Sequence, residues 1–92
     1  MPISGDNDIA AGTGSFSMSV RCNSHSGYCQ VSFGSGCTGS VVLKGRVSSA
    51  HDYVTLSTFT GDDIVECAIL PDMKVDYVTT GGTFSVEIWE AV

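Results

Sequence analysis

Residues Ser40 to Thr60 read SVVLKGRVSSAHDYVTLSTFT, and this stretch decides the fold class. Val41, Leu43 and Val47 share one parity, with Gly45 between them, while Lys44 and Arg46 take the other. Apolar and charged residues alternating with period two are the pattern of a half-buried strand. Ser48 to Asp52 supplies turn residues. Tyr53 to Thr60 then resumes with β-branched and aromatic residues, which suit a pleated surface. The stretch therefore reads as two strands joined by a short polar turn, with room for a single helical turn near Ser48 to Tyr53.

The same grammar extends in both directions. Ser15 to Cys22 alternates, with Phe16, Met18, Val20 and Cys22 on one face. After the polar turn NSHSG, Tyr28 to Gly34 alternates again, with Cys29, Val31 and Phe33 inward. The pair reads as a hairpin whose loop has a permitted length, which would set Cys22 and Cys29 close together at its ends. Gly34 to Gly39, GSGCTG, is a loop; it lacks the Lys of a phosphate-cradling loop. Beyond Gly61-Asp62-Asp63, the run IVECAIL from Ile64 to Leu70 is apolar on both parities. That suits a strand covered on both faces or packed against a partner. Met73 to Thr79 is a further strand, and Thr80-Gly81-Gly82 turns the chain. In the last strand, Thr83 to Glu90, Phe84, Val86 and Ile88 point inward and Trp89 outward.

The expected architecture is all-β: an antiparallel β-sandwich or jelly-roll-like barrel of about seven strands, the spacing fitting such folds. Residues 15–92 form the sandwich domain. Residues 1–14, rich in Gly, Asp and Asn, read as an extended N-terminal arm whose large aliphatics are Ile3 and Ile9.

Composition narrows the function classes. The 92 residues make one small domain with a limited core, which oligomerisation would support. The net charge is −6, with only Arg21, Lys44, Arg46 and Lys74 basic. Four scattered cations make no phosphate-neutralising patch, so nucleic acid is excluded as a partner. An anionic membrane surface is disfavoured for the same reason, and no apolar run is long enough for a transmembrane helix. The N-terminus lacks the basic start and apolar core of a secretory signal. Synthesis in a reducing compartment is expected, where disulfides are rare.

Candidate chemistry is sparse. His51-Asp52 with nearby serines lacks the strained nucleophile turn of a hydrolase, so His51 reads as a loop residue and no enzyme is expected. Asp6, Asn7, Asp8, Asp62 and Asp63 lack calcium-loop spacing and read as turn chemistry. Cys22, Cys29, Cys37 and Cys67 lack the close spacing of zinc ligands. They read first as buried thiols, second as one or two disulfides with Cys22 and Cys29 the candidate pair, and third, with His25, as zinc ligands. No metal or cofactor is expected. Tyr28, Tyr53, Tyr77 and Trp89 are candidate sugar-stacking residues, although an outward Trp more often marks a protein interface. The surplus apolar residues Ile64, Ala68 and Leu70, with Ile3, Ile9 and Trp89, form the candidate interface of an obligate homo-oligomer.

The residues from Gly39 to Trp89, GSVVLKGRVSSAHDYVTLSTFTGDDIVECAILPDMKVDYVTTGGTFSVEIW, resemble small structural proteins of tailed bacteriophages. The likeness rests on a strand of the form SVxLxGRxS, a strand VTLxTFT, an apolar strand ending in Leu-Pro, an MKV strand and a final Gly-rich turn. It implies a virion component made in the bacterial host cytoplasm: a capsid decoration or cement protein, or a tail accessory protein. By the same resemblance the partners would be the major capsid protein or other virion proteins, with a homotrimer favoured. A carbohydrate- or receptor-binding module of a phage tail or cell surface is the alternative reading.

Overall fold

The quoted stretch forms an antiparallel hairpin of two strands, β4 (Thr38–Arg46) and β5 (Val54–Phe59). Its turn is closed by the His51 N–H, which donates to the Ser48 carbonyl at 3.2 Å. The computed structural model describes residues 2–18 and 26–90. Besides the hairpin it contains β1 (Pro2–Ala10), β2 (Thr13–Met18), β3 (Ser26–Phe33), β6 (Asp63–Ala68), β7 (Asp72–Thr80) and β8 (Thr83–Glu90).

The eight strands form two four-stranded antiparallel sheets, ordered β1-β8-β3-β6 and β2-β7-β4-β5. The pairs β1–β8, β2–β7, β3–β6 and β4–β5 are nested one inside the next. This is a long hairpin rolled over on itself, the jelly-roll form of a β-sandwich. The all-β sandwich expected from the sequence is thus what forms.

Three local expectations are corrected. The arm is not separate from the sandwich: residues 2–10 are β1, paired along β8, and 13–14 open β2. Two register shifts and a left-handed Asp8 (φ 54°) interrupt that pairing, which is why no alternation shows in the sequence. Second, β2 and β3 do not make a hairpin. Among the described residues β2 pairs with β7, whereas β3 pairs with β6 and β8 in the other sheet. Two alternating segments joined by a polar turn look alike whether the chain turns within a sheet or crosses between sheets, because both point an apolar face at one core. Third, β4 ends at Arg46, so Val47 leaves the sheet and is 60% exposed.

Parity places the core as expected. β4 buries Val41 and Leu43, β7 buries Met73 and Val75, and β3 buries Cys29 and Val31. Phe84, Val86 and Ile88 of β8 are buried while Trp89 is exposed. Tyr77 and Phe84 bring their rings to 5.0 Å across the two sheets, a tilted aromatic contact. The β7–β8 crossing depends on Gly81 (φ 72°) and Gly82 (φ 64°), both left-handed. A side chain at Gly81 would strike the Gly36 carbonyl, and one at Gly82 would lie 2.8 Å from that of Ser35.

Candidate functional site

The sandwich offers three surfaces: the outer face of each sheet and the open end beside the β4–β5 turn.

On the outer face of the β2-β7-β4-β5 sheet, alternation aims Lys44 and Arg46 of β4 and Asp72, Lys74 and Asp76 of β7 the same way. Arg46 Nε donates to Asp72 Oδ2 at 2.6 Å, and the Tyr53 hydroxyl donates to Asp72 Oδ1 at 2.7 Å. The Arg46 guanidinium lies 4.1 Å from the centre of the Tyr53 ring and Lys74 Nζ lies 4.5 Å from it, a double cation–π arrangement. Lys44 and Lys74 stand directly opposite each other, a repulsive pairing. Asp76 resolves it by meeting Lys44 at 2.9 Å and Lys74 at 3.5 Å. The Tyr53 hydroxyl, then Arg46, hold the Asp72 carboxyl below its ordinary value, and the hydrogen bond from Lys44 does the same for Asp76. The bond to Asp72 also raises the Tyr53 phenol. Each charge here already has its partner.

The end of the sandwich is different. Gly45 stands where an inward side chain would meet Leu70 Cδ1 at 2.7 Å and Leu56 Cδ1 at 3.1 Å. Its missing Cβ lets Leu70 and Leu56 pack onto the strand, and they border a groove of about 300 Å³ lined by Gly45, Val47, Val54, Leu56 and Leu70, with Arg46, His51 and Asp52 around them. Leu56 is the extra residue of a bulge, since Leu43 pairs with Ser57 and Lys44 with Thr55. The bulge shifts parity, and Val54 is left 63% exposed.

The outer face of the β1-β8-β3-β6 sheet carries Trp89 and Tyr28 directly opposite each other on β8 and β3. They are 41% and 46% exposed. Glu66 of β6 faces Tyr28 from the other side. Two residues along, Glu87 opposes Gln30, and two further Ser85 opposes Ser32. The Trp89 indole N–H donates to the Glu87 carboxylate. Ile64 and Ala68 of the edge strand β6 are exposed on the same face.

The candidate interface residues thus separate. Ile64, Ala68 and Trp89 share the outer face just described, whereas Leu70 belongs to the groove. Ile9 is half-buried against the core, and Ile3 lies on β1. Of the candidate stacking residues, Tyr28 and Trp89 come together. Tyr53 sits among the charges, and Tyr77 packs inward with Phe16 and Phe84. Val47, Val54 and Leu56 were not legible as site residues, because the exposure of Val47 and Val54 and the position of half-buried Leu56 follow from a strand end and a bulge.

Cys29, Cys37 and Cys67 are buried free thiols. Cys29 and Cys67 are inward-facing diagonal neighbours across β3 and β6. Burial, reinforced by Cys67, pushes the Cys29 thiol up to about 12, so it is a weak nucleophile. The proposed partner Cys22 and His25 lie outside the described residues, and the hairpin that would have set Cys22 beside Cys29 does not form. Asp63 Oδ1 accepts from the Ile64 N–H at 2.8 Å, which is local turn chemistry, whereas Asp62 Oδ1 accepts from the Phe33 N–H at 2.7 Å and so ties the turn to the end of β3. Among the described residues no group of three His, Cys, Asp or Glu side chains is placed to hold a metal ion. His51 and Asp52 are exposed at the groove, where the His51 carbonyl accepts from Arg46 Nη1 at 3.1 Å.

Comparison with protein-family models, with curated proteins and with solved structures finds no match to this chain.

Proposed function

We propose that this chain is a non-enzymatic structural protein of a tailed-phage virion, a decoration or cement module that seats on a protein lattice. The observation that carries the reading is the end groove. Val47, Val54, Leu56 and Leu70 line a concave apolar seat that the domain's own side chains do not fill. A seat of this kind accepts one aliphatic or aromatic side chain from a neighbour, and repetition over a shell turns a weak contact into firm attachment. The likeness of residues 39–89 to small phage structural proteins points the same way, although a jelly roll by itself assigns no function. Three buried free thiols suit assembly in the cytoplasm of a bacterial host. Self-association, with a trimer favoured, would use the edge strand β6, which bears Ile64 and Ala68, and would leave the β3–β8 part of that sheet open.

Purified particles test the reading. The chain should copurify with virions at a fixed ratio to the major capsid protein, and Val54→Asp should abolish attachment. Val54 is exposed, so the variant should still fold. Absence from particles, or unchanged occupancy of the variant, would refute the proposal.

A further inference from the structure

The outer face of the β1-β8-β3-β6 sheet is organised in a way that lattice attachment through the groove does not use. Its residues run in opposed pairs: Trp89 with Tyr28, then Glu87 with Gln30, then Ser85 with Ser32. Successive same-face pairs are about 6.6–6.8 Å apart along a strand. The face therefore passes, in two steps, from a pair of exposed aromatic side chains through a carboxylate and an amide to two hydroxyls. The last four of these side chains line a notch of about 130 Å³ beside the aromatic pair.

We infer that this strip is a carbohydrate-binding site for neutral or amino-sugar oligosaccharides, with Tyr28 and Trp89 stacking on one sugar ring and Gln30, Glu87 and the serines holding the next. A pyranose presents an apolar C–H face and a rim of hydroxyls. It is recognised by an exposed aromatic with polar groups fixed at its edge, an apolar body beside convergent hydrogen-bonding groups. The Trp89 indole is already oriented, because its N–H is tied to Glu87. Gln30 offers both a donor and an acceptor, and Glu87 accepts only. Ser85 Oγ accepts the Asp8 N–H at 3.2 Å, which fixes the hydroxyl and leaves its own proton to donate. Glu66 and Glu87 flank the aromatic pair. Two carboxylates on a chain of net charge −6 repel uronic and sialic acids and tolerate neutral or cationic sugars.

Trp89 is the only tryptophan in the chain, so its fluorescence reports directly on the aromatic pair. The full chain is titrated with chitotriose, cellotriose and maltotriose, with trigalacturonate as the anionic comparison, following emission and heat in parallel. At least one neutral or amino-sugar trimer should shift the emission and saturate at millimolar concentration or below. Trigalacturonate should not. Tyr28→Ala and Gln30→Ala, both at exposed positions, should each keep the parent melting temperature and weaken binding about tenfold, or about 1.4 kcal/mol. The inference falls if none of the three trimers binds, if trigalacturonate binds equally well, or if both variants bind as the parent does. Loss of sugar binding with attachment to particles intact would leave the proposed function standing, and the reverse would leave this site standing.

Discussion

The two outer faces of the sandwich are built on one core with one alternation rule, yet they end in opposite conditions. On the β2-β7-β4-β5 face, three of the chain's four basic residues meet Asp72, Asp76 and Tyr53 in a closed set of contacts. On the β1-β8-β3-β6 face, Tyr28, Trp89, Ile64 and Ala68 are exposed beside Glu66 and Gln30. Binding capacity is therefore unequal on the two faces. A surface whose polar groups answer one another has little to offer a ligand. A surface that exposes aromatic rings beside carboxylates and an amide keeps its interactions for something outside the chain.

The comparison requires a common core, and the largest expected effect lies there. Val86 of β8 and Val75 of β7 are 1% and 0% exposed and belong to opposite sheets. Val86→Asp or Val75→Asp buries an unpaired carboxylate at a cost of several kcal/mol, a large part of the stability of a domain this small. Either should abolish cooperative thermal unfolding followed by circular dichroism. If only one did, the sheets would not share a core. A smaller loss is expected where the sheets are joined. Gly81→Ala puts a Cβ on a left-handed residue and against the Gly36 carbonyl, for about 1–2 kcal/mol. The melting temperature should fall by roughly 4–8 °C per kcal/mol.

The closed face should also show itself in acid. The folded state holds Asp72 below its ordinary value through Tyr53 and Arg46, and Asp76 through Lys44. A carboxylate depressed in this way adds stability that is fully present above its unfolded value. That stability is lost as pH falls through the lower, folded value, so the loss begins below about pH 4. Asp72→Asn should therefore flatten the acid limb of melting temperature against pH, and Tyr53→Phe should shrink it. An acid limb unchanged in Asp72→Asn would mean that the closed set of contacts adds no stability.

Much of this contrast was present in the sequence, and the missing part has a physical reason. Alternation in Phe84-Ser85-Val86-Glu87-Ile88-Trp89 states which residues face the core, because a strand has only two sides. It does not state which strand lies alongside, so β2 and β3 read as a hairpin when they belong to different sheets. Nor could β1 be read as a strand, since its bulges and the left-handed Asp8 remove the period on which such reading depends. The groove was hidden for a related reason. Gly45 admits Leu70 and Leu56 close to the strand, and the rest of the lining comes from the bulge at Leu56 and the strand end before Val47. The charged face was half legible: Lys44 and Arg46 were plainly outward, but their acidic partners lie 26 or more positions along the chain.

The smallest expected effect concerns the open face, and it discriminates most sharply. Tyr28 and Ile64 stand outward on neighbouring strands, 46% and 56% exposed. In the isolated chain their rings and methyls rest largely in water, so removing them forfeits little burial. Tyr28→Ser and Ile64→Thr should each change stability by no more than about 0.5 kcal/mol, the range of ordinary surface substitutions. Threonine also keeps the β-branch that suits β6. Denaturant titration of the monomer checks this, with midpoints expected to coincide with the parent. If the chain instead associates through this face, the same substitutions remove buried contacts between copies. Stability would then fall with dilution in the parent and lose that dependence in the variants. Repeating the titration at two protein concentrations separates the cases. A concentration-independent loss well above 0.5 kcal/mol in either variant would mean that the open face is covered by the chain's own residues, and the contrast between the faces would be gone.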